Sequence, residues 1–74
     1  MKKTALQLAK DRDFNTAYEY YNYIVESYIN GNRQQTLDLF FALSEVDRIH
    51  FIDNYSTPET TTFIIKSAVT GGKS

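Results

Sequence analysis

The chain has 74 residues, including six Tyr and five Phe, with no Cys, no Trp and a formal net charge of −1. That length holds one domain, and a domain so small buries only about 60% of the surface its unfolded chain exposes. Without Cys there is no disulfide framework and no thiolate zinc site, and the near-balanced, scattered charges lack the basic footprint of a typical nucleic-acid binder.

The start, Lys2-Lys3 followed by Ala5-Leu6, has the charge of a secretory leader. Gln7, Lys10 and Asp11 interrupt the apolar run well before the ~7–15 residues such a leader needs. No run approaches the length of a membrane span. The expectation is a cytoplasmic protein that does not engage the membrane.

Residues 2–12 read as a short helix with Ala5, Leu6, Leu8 and Ala9 on its apolar side. Asp11-Arg12-Asp13 reads either as a turn, with Asp13 capping the next helix, or as the middle of one continuous helix. Residues 14–29 carry the clearest period: Phe14, Ala17, Tyr21, Ile24, Val25 and Tyr28 recur at steps of three and four, with Tyr18 on the same side. Asn30-Gly31 ends that helix, Gly31 supplying the left-handed residue, and Asn32 caps a helix over 33–43. The short connection makes these two helices antiparallel neighbours. The run 37–43 is the most apolar in the chain. Wound as a helix its apolar side chains cover roughly 200° of the circumference, so the rest is expected to pack around it.

Ser44 reads as the N-cap of a helix over 45–55, with Glu45 and Asp47 in the first turn. Val46, Ile49, Ile52 and Tyr55 supply its apolar side, widened by Phe51. Ser56-Thr57-Pro58-Glu59 is a helix start: hydroxyl cap, Pro at the first helical position, acid just after. The following 60–65 are rich in β-branched residues, which favour strand. The cap and the spacing of Phe63, Ile64, Ser67 and Ala68 favour a helix over 58–69. Residues 71–74 are expected to be a flexible tail.

Several constellations bear on chemistry. Gly71-Gly72-Lys73-Ser74 matches the end of a phosphate-binding loop, but Ser67 stands where that loop needs Gly, and no helix follows to present its amides. His50 is the only histidine, flanked by Asp47, Asp53 and Asn54 on what the helical wheel makes a polar side. No second His or Cys completes a metal site, and no nucleophile–base order is present. The expectation is therefore a non-enzyme with no metal and no cofactor. Asn54-Tyr55-Ser56 matches a glycosylation sequon, which has no meaning without secretion. Residues 46–55 and 58–69 have the proportions of a helix-turn-helix with Thr60, Thr61 and Thr62 as base readers. Only Lys66 and Lys73 accompany that second helix, too few to hold phosphates.

Tyr20 and Tyr23 lie away from the main apolar side of the 14–29 helix, at about 90° and 150° from its middle, and share their stripe with Thr16 and Ser27. Thr16, Tyr20, Tyr23 and Ser27 form the candidate partner-binding stripe, for another protein or for a second copy in a homodimer. The competing reading has another helix of the same chain covering them.

The run Tyr23-Ile24-Val25-Glu26-Ser27-Tyr28-Ile29-Asn30-Gly31-Asn32-Arg33-Gln34-Gln35, followed by an apolar helix and a Ser-acid helix start, resembles a pattern in small bacteriophage proteins, notably those of phages of gut bacteria. The resemblance covers about residues 20–50. It implies a bacterial-cytoplasm or virion setting and assigns no residue a role.

The combined expectation is an all-α fold. Residues 1–70 form a single domain of four helices, or five if the first stands apart, ahead of the 71–74 tail. The function expected is a small phage-type accessory protein that binds another protein, as a modulator or inhibitor of a host system or as a structural component. The alternative is a small helix-turn-helix-like DNA-binding regulator.

Overall fold

A computed structural model describes residues 3–70, with nothing to be said of the Thr70 side chain. The fold is all-α, with five helices: α1 (Ala5–Asp11), α2 (Ala17–Ile29), α3 (Arg33–Phe41), α4 (Glu45–Asn54) and α5 (Pro58–Thr70). No strand is present among the described residues; a single parallel bridge joins Lys3 and Leu43. The 71–74 tail lies outside the described residues.

The helix boundaries follow local chemistry. Thr4 and Gln7 form a capping box at α1, and Thr16 and Glu19 form another at α2. In each, the hydroxyl accepts from the third helical amide while the longer side chain reaches back to the cap amide. Asp13 does not cap α2. It sits at φ 64° and closes α1: Phe14 N–H bonds Ala9 O at 2.9 Å and Asp13 N–H bonds Lys10 O at 3.0 Å. This is the paired C-terminal closure usually built on Gly. Helices α1 and α2 are therefore separate, and Phe14 and Asn15 belong to the connection rather than to α2. Gly31, at φ 85°, closes α2 in the same way, through Asn32 N–H to Ser27 O and Gly31 N–H to Tyr28 O. The Asn32 side chain then caps α3.

Helix α3 stops at Phe41, short of residue 43, and Leu43 reaches the core from the bridge instead. The β-branched 60–65 segment is helical. Thr57 Oγ1 accepts from Thr60 N–H, Pro58 opens the helix, and Ile64 is buried.

The organising element is α2 rather than α3. Tyr20, Ile24 and Ser27 are buried along one stripe of α2 and Tyr21 and Val25 along the adjoining one, a continuous arc of roughly 160°. Its principal helix neighbours are α1 and α3. Tyr21 reaches α4 through Phe51, with ring centroids 5.6 Å apart, and Tyr28 reaches α5 through Phe63 at 5.4 Å. So broad a buried arc is contacted by several neighbours at once, which makes α2 the helix the others pack around, while Glu19, Asn22 and Glu26 keep its opposite face in water. Helix α3 instead leaves Gln34 and Asp38 in water, hydrogen-bonded to each other.

Candidate functional site

Of the four residues of the stripe expected on α2, Tyr20 and Ser27 are internal, Tyr23 is half-buried and Thr16 is exposed. Tyr20 is 1% exposed, and its hydroxyl donates to Leu39 O at 2.7 Å. Burial pushes the Tyr20 phenol up to about 12, against the opposing pull of the Arg12 charge. Ser27 is buried; its hydroxyl donates to Tyr23 O and accepts from Gln35 Nε2. Tyr23 is half-buried. Phe14 meets its ring edge-on at 5.7 Å, Arg12 lies over it at 5.5 Å, and its hydroxyl accepts from Gln35 Nε2. Thr16 is exposed, and its hydroxyl caps α2. The α1–α2 connection and α3 thus cover Tyr20 and Ser27 and half of Tyr23, the larger part of what the helical wheel offered as a partner surface.

The His50 cluster is also rearranged. Asp47 Oδ2 accepts from Ala5 N–H at 2.9 Å and from Ser44 Oγ at 3.1 Å, which ties its carboxylate to the start of α1 and to its own cap. The His50 ring lies 5.9 Å from Tyr21 and 5.5 Å from Tyr55, so it packs at the edge of an aromatic cluster rather than on a wholly polar side. Tyr21 and Tyr55 stack at 4.8 Å. The Tyr21 phenol is pushed up to about 12, mainly by burial, then by the Asp47 carboxylate and the Tyr55 phenol.

Of the three threonines considered as base readers, Thr60 is fully buried and accepts from Thr57 Oγ1, and half-buried Thr61 donates to Ser56 Oγ. Thr62 alone of the three is exposed.

The open apolar surface lies elsewhere. Helix α4 is rotated so that Phe51, fully buried, enters the core between Tyr21 and Phe40. Val46 and Ile49, expected to face inward, are 75% and 63% exposed. Beside them a groove of about 310 Å³ is lined by Phe40, Arg48, Ile49, Ile52 and Asp53. The Arg48 guanidinium lies 5.1 Å from the Phe41 ring centroid and donates from Nη2 to Phe41 O at 2.9 Å. Its Nε is buried without a hydrogen-bond partner. On α5, Ile65 and Val69 are exposed at i, i+4 spacing, and Ile29 is exposed at the end of α2. A shallow groove of about 420 Å³ between Tyr28 and Phe63 runs along the start of α5. Arg33 stacks over those two rings, 4.5 and 5.4 Å from their centroids.

The wheels of α4 and α5 contain these residues, but period alone does not say which side of a broad apolar arc turns inward. No helix among the described residues is long and apolar enough to cross a membrane. No protein-family model, curated protein or solved structure matches the chain.

Proposed function

We propose that this is a non-catalytic binding protein that acts by docking onto another protein through the aliphatic faces of α4 and α5. The observation that carries the reading is the exposure of Ile65 and Val69 one helical turn apart, on a helix whose other side is anchored by Ile64 and Phe63. Single exposed aliphatics are ordinary, but two stacked on one helix face form a ridge that water solvates poorly. Such a ridge fits an apolar groove on a partner, with specificity supplied by the polar rim. The resemblance of the 20–50 region to small phage proteins makes a bacterial protein the partner to seek, with modulation or inhibition of a host system as the role.

The test is photo-cross-linking in bacterial lysate from a probe at Thr62, comparing wild type with Ile65→Asp/Val69→Asp. A cross-linked species that the double variant loses, while its helical circular dichroism is kept, supports the reading. Equal capture by both chains, or none by either, removes it.

A further inference from the structure

We propose that Asn30 is a site of spontaneous covalent modification, where loss of ammonia turns its carboxamide into a carboxylate and opens the joint between α2 and α3. Water is the only co-reactant, and the fold sets both how fast the reaction runs and what it undoes.

The chain has five Asn, and Asn30 alone is followed by Gly. Ring closure needs the next residue's amide nitrogen to reach the Asn carboxamide carbon, and a following side chain crowds that approach. Gly31 brings none. Asn22 and Asn54 donate through their carboxamides to Glu26 Oε2 and His50 O, and the Asn32 carboxamide accepts from Gln35 N–H in the α3 cap. Asn15 is followed by β-branched Thr16. Asn30 is exposed, and its carboxamide makes no hydrogen bond among the described residues. Nothing lies within 4 Å of where a Gly31 Cβ would sit, so the joint has room to turn. The nitrogen that must attack is held, however: Gly31 N–H bonds Tyr28 O at 3.0 Å, with Asn30 at ψ 0°. The closure therefore gates the reaction, which proceeds only when the last turn of α2 frays, an opening that costs a helix little.

In the frayed joint the Gly31 amide loses its proton to a base in solution, and its nitrogen attacks Asn30 Cγ. The N–Cγ bond forms, the Cγ–Nδ2 bond breaks, and ammonia leaves with a proton from solvent. Water then opens the five-membered imide, and no atom changes oxidation state. Cleavage at Cγ gives aspartate on an unaltered backbone. Cleavage at the backbone carbonyl gives isoaspartate, whose main chain runs through Cβ and Cγ and is one atom longer. The aspartate puts a carboxylate at the negative end of the α2 dipole, one turn after Glu26 and with no base in the last turn. The isoaspartate does more. Asn32 N–H to Ser27 O at 2.9 Å and Gly31 N–H to Tyr28 O both span the added atom, so the pair cannot keep its register. Ser27 is buried and tied to Gln35 of α3, so its carbonyl loses its partner at the α2–α3 contact.

The test is ageing of the full chain in mildly alkaline buffer, folded and in guanidinium chloride, followed by peptide mapping in a mass spectrometer. Deamidation adds about 1 Da as NH2 is exchanged for OH, and an isoaspartate methyltransferase labels the isoaspartate product. Asn30 should be the first of the five Asn to convert in the folded chain, at least about tenfold more slowly than in denaturant. Aged chains should melt lower than fresh ones, with faster amide exchange over 27–32, and the isoaspartate form should melt lowest. Asn30→Asp supplies the charge without the longer backbone and should melt between the two. Asn30→Gln, whose ring would need six members, should keep both its mass at this position and its melting temperature through ageing. Earlier conversion at another Asn, or none at Asn30 while the denatured sample converts, overturns the site. Equal rates folded and denatured overturn the gate. An aged chain that melts like a fresh one overturns the opening of the joint. These variants leave the α5 ridge intact, so their outcome is distinct from that of capture through Ile65 and Val69.

Discussion

Two residues in the left-handed region close two successive helices. Gly31 holds φ 85° with nothing within 4 Å of where a Cβ would sit. Any penalty for a side chain there is purely conformational. Gly31→Val should lower stability by more than about 1 kcal/mol, while Gly31→Asn should cost little, because Asn tolerates this region. Urea denaturation of both variants checks the contrast. Asp13 does the same work with the wrong residue, at φ 64°. Asp13→Gly should raise stability by about 0.5–1 kcal/mol, by the relief of local backbone strain. A midpoint unchanged from wild type would mean that the Asp side chain compensates locally. Tyr20 combines core and cap. Its hydroxyl takes Leu39 O in the last turn of α3, whose expected donor, Leu43 N–H, goes to Phe40 O instead. Tyr20→Phe should therefore cost about 1–3 kcal/mol for one unpaired buried carbonyl.

At the scale of the element, caps fix where the helices start and tertiary contacts fix how they are turned. The Thr16–Glu19 box satisfies amides at the head of α2, with Glu19 Oε1 also taking Asn15 N–H at 2.6 Å. Thr16→Ala should cost about 1 kcal/mol in chemical denaturation, and the loss should appear as earlier amide exchange at the first turn of α2. Helix α4 shows the other half. Its wheel allows several rotations, and the one adopted buries Phe51, brings Asp47 to Ala5 N–H and leaves Val46 and Ile49 outside. A large ring fills an interior space between two other rings better than two aliphatic side chains do. The rotation that created the α4 face was thus decided by Tyr21 and Phe40, residues on other helices.

At the scale of the molecule, a radius of gyration of 11.5 Å matches the value of about 11 Å expected for a compact domain of this length. The core is compact as a monomer, which places any self-association on the surface rather than in completion of the core. Tyr20 and Tyr21 give the molecule an alkaline limit. Both phenols are pushed up to about 12 from 10.0. Unfolded, they release their protons near 10; folded, they hold them. Above about pH 10 the unfolded state binds fewer protons, so stability falls as pH rises, until about 12. A melting temperature flat below pH 9 and falling steadily from pH 10 to 12 is the expected profile, and Tyr20→Phe should flatten part of that fall.

The sequence by itself determined the all-α class, the Gly31 closure, the caps at Asn32 and Ser44, and the Pro58 start, because each depends on a few neighbouring residues and the physics of one helix end. The Thr4–Gln7 and Thr16–Glu19 boxes carry an equally local signal, a hydroxyl followed three residues later by a long polar acceptor, but reading helices over 2–12 and 14–29 passed over both and put Thr4 and Thr16 inside them. Asp13 was not legible, since a residue suited both to an N-cap and to the left-handed region takes its role from which helix end reaches it first. The tertiary structure alone decided that α2 is the centre, that Tyr20 and Ser27 are buried, and that Val46, Ile49, Ile65 and Val69 are not. Those outcomes turn on which of two broad apolar arcs a neighbouring helix covers, and helical period is silent on that choice. The candidate surface is therefore made of what remained after Phe51, Ile64 and Tyr20 had taken the interior.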